Sequence, residues 1–230
     1  MKKIVVLTGA GMSAESGIST FRDAGGLWEK YPIDDVATPE GWRRNPALVL
    51  DFYNQRRKQL LKAKPNAGHY TLAELEKKYD IQIITQNVDN LHEQAGSTKV
   101  LHLHGELMKV QSTSSGEEVF DLTPENYETH LGDKCPKGYQ LRPHIVWFGE
   151  AVPEIENAVR LTEQADIFII IGTSMQVYPA AGLIDEVKPG TPIYLIDPKE
   201  VNVSRKNVTV IQKGAGEGLK ELREKYMNEY

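Results

Sequence analysis

A parallel α/β sheet with helices on both faces, joined by a smaller inserted subdomain, is the fold class that this sequence predicts. Three observations lead there. Short β-branched runs bounded by turn residues recur along the chain, and several lack polar alternation, the pattern of strands buried on both faces. Helical patterns separate those runs, and strands that alternate with helices pair in parallel. Two long segments break the alternation and read as excursions from the sheet.

The strand runs fall at 3–7, 81–85, 100–103, 167–171, 193–196 and 208–211, and the helical patterns at 46–62, 67–79, 88–94, 153–164, 179–187 and 216–226. The first run, Ile4-Val5-Val6-Leu7 after two lysines, imitates a signal peptide but stops at Thr8-Gly9, so it reads as a strand. The first excursion, 21–64, carries Gly25-Gly26 and a charged helix. The second, 105–141, holds Ser112-Thr113-Ser114-Ser115-Gly116, expected to turn a hairpin, and the turn-rich loop 132–138. The expected division is one catalytic domain over 1–230, with a large part at about 1–24, 65–104 and 142–230 and a small part at about 25–64 and 105–141. A cleft between the two parts is where a ligand is expected.

The 230 residues carry 27 Lys plus Arg against 32 Asp plus Glu, a formal charge of −5. That balance argues against a nucleic-acid binder, which needs a basic face to neutralise phosphates. At 40% hydrophobic and 26% charged, the composition is that of a globular protein. No run approaches the roughly 18 apolar residues of a membrane helix. A cytoplasmic protein without membrane partners, and a monomer, is the expectation. With Cys135 the only cysteine, no intramolecular disulfide and no Cys-x-x-Cys zinc cage can form.

Chemistry-bearing residues gather just after the strands. Gly9-Ala10-Gly11-Met12-Ser13-Ala14 matches a G-x-G-x-x-A turn, whose glycines let backbone approach a pyrophosphate. A structural turn with no ligand gives the same pattern. In a dehydrogenase a second strand and a ribose-binding acid follow about 20 residues on; here Ser16-Gly17-Ile18-Ser19-Thr20-Phe21-Arg22 follows, which disfavours hydride transfer. Gln86-Asn87-Val88-Asp89 and Gly172-Thr173-Ser174 each follow a strand, where a parallel sheet lines its crevice, although Asn and Asp there also cap helices.

Six histidines divide by context. His69, His92, His130 and His144 read as packing or surface residues. His102 and His104, two apart near a strand end, share one face and could pair on a metal, but no acid or thiol stands close in sequence. His104, before Gly105, is the better general-base candidate. Cys135, flanked by Lys134 and Lys137, could be a nucleophile paired with His104, although a lone loop cysteine more often has no role.

The ordered set Gly9-Ala10-Gly11-Met12-Ser13-Ala14-Glu15-Ser16-Gly17-Ile18, Phe21-Arg22, Gln86-Asn87-Val88-Asp89, His104-Gly105 and Gly172-Thr173-Ser174 resembles the sirtuin family of NAD-dependent protein lysine deacylases, from about residue 4 to 222. Tyr53-Asn54-Gln55-Arg56 with Ala24 and His144-Ile145-Val146-Trp147-Phe148-Gly149-Glu150 is similar to the subgroup that removes acidic acyl groups such as succinyl and malonyl.

The resemblance implies a Rossmann-like large domain, with NAD and acyl-lysine entering the cleft from opposite sides. Gly9, Ala10, Gly11, Ser13, Ala14, Gly17, Ile18, Phe21, Arg22 and Trp28 would wrap the cofactor, and Gln86, Asn87 and Asp89 its nicotinamide and ribose. Gly172, Thr173 and Ser174 would take the phosphate side, Ala215 the adenine and Asp197 the adenine ribose. An asparagine often precedes Asp197 in the family and contacts that ribose; in Leu195-Ile196-Asp197 it is missing, and Asp197 could accept from the ribose instead or merely end its strand. Ala24, Tyr53, Arg56, Val146, Phe148, Gly149 and Val177 would hold the acyl-lysine substrate, with His104, Asn87 and Asp89 catalytic. NAD would be consumed: nicotinamide leaves, the acyl oxygen takes its place, His104 acts as base, and 2′-O-acyl-ADP-ribose is released.

The family's two Cys-x-x-Cys pairs are here Ser112 and Ser115, then Cys135 and Gly138, so zinc is not expected. Val110, Val119, Phe120, Leu122, Tyr127, Leu131 and Leu141 are then expected to hold the small part together. Mono-ADP-ribosyl transfer from NAD and a non-catalytic NAD-sensing module stay open as alternatives.

Overall fold

The computed structural model describes residues 1–18, 30–114, 118–203 and 205–227. Six runs form one parallel sheet: β1 (Lys3–Thr8), β2 (Asp80–Thr85), β3 (Val100–His102), β7 (Ile167–Ile171), β8 (Ile193–Ile196) and β9 (Val208–Ile211). Their order is β3-β2-β1-β7-β8-β9, so the winding reverses between β1 and β7. Register aligns the carboxyl ends, with Thr8 opposite both Thr85 and Ile171, and Thr85 opposite His102.

Both faces of the sheet are buried, as the unbroken apolar runs predict. Ile4, Val6, Ile81, Ile83, Ile169 and Ile196 pack on one side against Leu72 of α5 (Ala67–Leu75) and Leu219 and Leu222 of α8 (Ala215–Lys225). Val5, Leu7, Ile84, Phe168, Ile170 and Leu195 point the other way, onto Ala158 of α7 (Ile155–Thr162) and Leu183 and Ile184 of a 3₁₀ helix, Ala180–Glu186. The period of two puts adjacent residues of each strand on opposite faces.

A second sheet, antiparallel and ordered β5-β4-β6, combines β4 (Gly105–Ser112), β5 (Val119–Asp121) and β6 (Leu141–Ile145). β4 and β5 pair antiparallel, while Ser115 and Gly116 of the expected hairpin turn lie outside the described residues, and β6 carries 142–145 into this small sheet. Beside it lie α2 (Ile33–Val36), α3 (Pro39–Arg44) and α4 (Pro46–Leu60). Asn45 caps α4 by accepting from the Leu48 amide at 3.1 Å, with Pro46 at the first helical position. A third core of Val36, Val49, Phe52, Tyr53, Leu107, Ile145 and Trp147 welds these helices to the small sheet.

Two helical expectations need correcting. The 88–94 pattern becomes α6 at Leu91–Ala95, because Asp89 Oδ1 accepts from the Leu91 amide at 3.1 Å and keeps 86–90 out of the helix. The 179–187 pattern winds as the tighter 3₁₀ form.

Candidate active site

Three loops meet where the winding reverses. The first holds α1 (Gly11–Ala14) after β1, the second is 86–90 after β2, and the third is 172–174 after β7. Glycine makes the contact possible. Gly11 N–H donates to Gly172 O at 2.8 Å, and Gly172 has φ +63°. A Cβ on Gly172 would stand 2.3 Å from Met12 N, and one on Gly9 would stand 2.7 Å from Gly172 O.

The second loop is tied to the first by side chains. Asn87, buried, donates through Nδ2 to Gly9 O at 3.0 Å and Ser13 Oγ at 3.2 Å. Ser13 Oγ donates to Asp89 Oδ2 at 2.9 Å, and Gln86 Nε2 donates to Thr173 Oγ1 at 3.1 Å. Burial pushes the Asp89 carboxyl up, against the hydrogen bonds of Leu91 and Ser13 and the nearby charge of His102, which favour the ion. Ala10 and Ala14 line the first loop, with Gly17 in the left-handed region at φ +82° and Ile18 packed toward the third core.

Beneath the loops runs a buried polar chain that the sequence does not announce. Thr85 Oγ1 accepts from the Asn87 amide at 3.0 Å and from Thr8 Oγ1 at 2.8 Å, and His92 Nε2 stands 3.2 Å from Thr8 Oγ1. His69 meets His92 edge to face, centroids 4.8 Å apart, and accepts at Nδ1 from the Asn66 amide. Both rings are fully buried, and desolvation pushes both pKa values down, that of His69 to about 4. Of the two roles expected for them, packing is the one the fold uses.

His104 sits at the mouth of the same edge. Its Nδ1 stands 3.1 Å from Gln86 O, an acceptor, so Nδ1 carries the hydrogen and Nε2 keeps the basic lone pair. Burial lowers its pKa, which keeps the ring neutral. His102 does not join it on a metal: its Nδ1 lies 3.1 Å from Asn87 O and its Nε2 2.7 Å from Glu93 Oε1. Among the described residues no three His, Cys, Asp or Glu side chains converge as a metal site requires.

The Cys135–His104 pairing fails on distance. Cys135 Sγ accepts from Ser112 Oγ at 3.3 Å, at the far end of β4. His104 precedes the near end, and a strand of this length separates its ends by roughly 20 Å. Ser112 Oγ also lies 2.8 Å from Ser114 Oγ, so hydroxyls and one thiol occupy the corner.

The 146–149 segment borders His104 directly. Val146 N–H donates to His104 O at 3.0 Å, Phe148 is 46% exposed, and Gly149 turns at φ +90°. Val177 is also exposed. Trp147 is buried and donates from Nε1 to Tyr53 Oη at 3.0 Å, a link across 94 positions that no spacing signals. The Arg56 guanidinium lies 5.7 Å from the Tyr53 ring centre, close enough to Asp89 to feel its charge, while burial lowers its pKa. Arg57, an exposed neighbour if α4 presented a simple charged face, is instead fully buried.

Past β9, Ala215 opens α8, whose Gly216 amide donates to Glu15 Oε1 at 3.3 Å. Asp197, pushed up by burial, closes its own turn by accepting from Lys199 N at 2.8 Å through Oδ1. Phe21, Arg22, Ala24 and Trp28 lie outside the described residues, as does Ser115.

A doubly wound sheet with a glycine contact at its switch point and amide and hydroxyl donors around it defines a dinucleotide-binding α/β protein. The chain belongs to the Sir2 family, whose model matches residues 9–179. It is 63% identical over 228 residues to the NAD-dependent protein deacylase of Bacteroides thetaiotaomicron, covering 97% of each chain. Among solved structures, it is similar to a Sir2 homolog–NAD complex at TM-score 0.89 and 41% identity, covering 99% of this chain and 90% of that one. A Sir2 bound to acetylated peptide matches at TM-score 0.78 and 30% identity, covering 96% and 92%.

Proposed function

We propose that this NAD-dependent protein-lysine deacylase prefers acyl groups ending in a carboxylate, succinyl and malonyl before acetyl. Family membership and the deacylase relative support the deacylase activity itself. The finer reading is carried by one observation: Tyr53 and Arg56 stand together, Tyr53 bonded to the buried Trp147 of the 146–149 segment and Arg56 near enough to Asp89, in the loop after β2, to feel its charge.

The residues present suit NAD. Glycines remove the Cβ atoms that would keep loops 9–14 and 172–174 apart, and Ser13, Thr173 and Ser174 offer hydroxyls. Gln86, Asn87 and Asp89 would hold the nicotinamide and its ribose, and Asp197 and Ala215 the adenosine. NAD supplies an electrophilic ribose carbon and the ADP-ribose that carries the acyl group away. His104, with its hydrogen fixed on Nδ1, accepts a ribose hydroxyl proton at Nε2. Val146, Phe148, Gly149 and Val177 line the way in for a lysine stem.

Because Tyr53 Oη accepts from Trp147, its one hydrogen is left to donate elsewhere. With the Arg56 fork it makes a donor set whose charge and planar geometry suit a carboxylate, which an acetyl group does not offer. A charge-assisted hydrogen bond of about 1.5 to 3 kcal/mol implies a preference of about ten- to 150-fold.

Mass spectrometry of succinyl- and acetyl-lysine peptides incubated with NAD is the test. Loss of succinyl with matching acyl-ADP-ribose is expected, and Tyr53→Phe with Arg56→Met should collapse it while sparing deacetylation. Equal loss of both activities would sink the acyl reading. Nicotinamide release without acyl loss would turn the assignment toward ADP-ribosyl transfer.

A further inference from the structure

We propose that His102 is a positioning residue of the NAD-cleaving centre, clamped as an imidazolium between the Asn87 carbonyl and the Glu93 carboxylate. The two contacts fix the ring's protonation by geometry. Asn87 O at 3.1 Å can only accept, and the Glu93 carboxylate at 2.7 Å, when ionised, can only accept. A neutral imidazole has one N–H and one lone pair, so it satisfies one contact and turns the lone pair on the other. Only the doubly protonated ring serves both.

The location makes this consequential. His102 ends β3 and His104 lies in the turn that follows, and each ring ties down one of two consecutive carbonyls, Asn87 O and Gln86 O. Those residues carry the amides that reach Gly9, Ser13 and Thr173. The His102 side chain is 8% exposed, so its bond to the loop is shielded from water, while Glu93 opens to solvent at 39%. The two histidines thus divide the work: His104 stays a neutral base and His102 a cationic clamp.

The charged surroundings agree. Glu93 on α6 and Glu106 on β4 favour the imidazolium, and burial opposes it; the balance raises the ring above an ordinary histidine. Lys109, also facing this corner from β4, is engaged by Glu106 at 2.9 Å. On the other sides His92, His144 and Asp89 each feel the His102 charge, and for Asp89 that charge favours the carboxylate. As pH rises through the raised His102 value the clamp is lost, so the loop's side chains lose their placement for the cleavage step on the alkaline side.

The inference rests on Asn87 belonging to the NAD-cleaving centre, and the test separates the two. Ring-proton NMR of the free protein should show His102 titrating above about 6.5, the ordinary histidine value. Glu93→Gln, at an exposed site, should pull that midpoint down and move the alkaline limb of kcat for nicotinamide release by the same amount. His102→Gln, with an amide that still donates but does not titrate, should abolish the limb. His102→Phe should lower kcat about tenfold or more, with KM for NAD changed less. A His102 midpoint at or below 6.5, or one that Glu93→Gln leaves in place, overturns the clamp. A midpoint that moves while the alkaline limb stays put overturns its role in catalysis.

Discussion

A neutral base must be held neutral, and at His104 burial does so against the Gln86 carbonyl, which favours the charged ring while fixing the hydrogen on Nδ1. We expect His104→Ala to lower deacylation by about 100- to 10,000-fold with NAD still bound, checked by single-turnover assay and calorimetry. A variant that keeps a tenth of wild-type turnover would remove the assignment. His69 shows the same physics spent on stability. Its Nδ1 accepts from the Asn66 amide while Asn66 Oδ1 accepts from Gly68 N and His69 N, a capping box with imidazole in the place of Glu or Gln. Its folded pKa, about 4, lies below the unfolded 6.5, so the neutral ring's contribution is present above 6.5 and lost as pH falls toward 4. That gap corresponds to ~3 kcal/mol. Urea unfolding of wild type at pH 7 and 4.5 should differ more than that of His69→Gln, which keeps the cap without the titration; parallel losses would refute this.

Among elements, α4 does the most to organise the small part. Arg57, fully buried, donates from Nε to Leu107 O at 2.8 Å and from Nη1 to Asn54 Oδ1, Tyr127 O and Thr129 Oγ1. Asn54 and Thr129 bond each other twice, through Asn54 Nδ2 to Thr129 O and Thr129 N to Asn54 Oδ1. No carboxylate pairs with Arg57 among the described residues, and burial pulls its guanidinium down to about 10. This polar staple joins α4, β4 and the 127–129 segment. The apolar set expected there does less: Val110 is buried, but Val119 is 40% and Leu131 56% exposed. Arg57→Met should strand several buried acceptors and destabilise by roughly 2 to 4 kcal/mol, read from urea midpoints. An unchanged midpoint would return the weight to apolar packing. With Ser112, Ser114 and Cys135 at the corner, elemental analysis should find no stoichiometric zinc, and chelators should leave Tm in place. One zinc per chain would contradict this.

For the whole molecule, the decisive feature is the reversal of winding between β1 and β7, which opens a crevice at the carboxyl edge. Everything placed there depends on two backbones touching at Gly11 and Gly172. Gly172→Ala would force a side chain into φ +63° and within 2.3 Å of Met12 N. We expect it to cost about 1 to 3 kcal/mol and to weaken NAD binding more than stability, measured by calorimetry and thermal melting. Wild-type affinity in that variant would show that the loop contact is dispensable.

The sequence by itself determined the strands, the parallel class and the loops that carry the chemistry. Local pattern suffices there: a strand buried on both faces must be apolar throughout, and glycines and amides after strand ends mark the crevice. It also offered Tyr53 and Arg56, but only through the family resemblance, since the three-residue spacing that puts both side chains on one face reads equally as a charged surface. Only the tertiary structure decided what those residues touch. Trp147 reaches Tyr53 across 94 positions, and Arg57 reaches Thr129 across 72. Its neighbour Arg56 lies against the Tyr53 ring within reach of the Asp89 charge, while Arg57 is sunk in the small part, though the two read alike as charges in a row. The protonation of His102 was likewise illegible, since it follows from a carbonyl 15 residues away and a carboxylate nine residues away meeting one ring. A histidine's charge is set by the acceptors around it, and those are assembled by the fold.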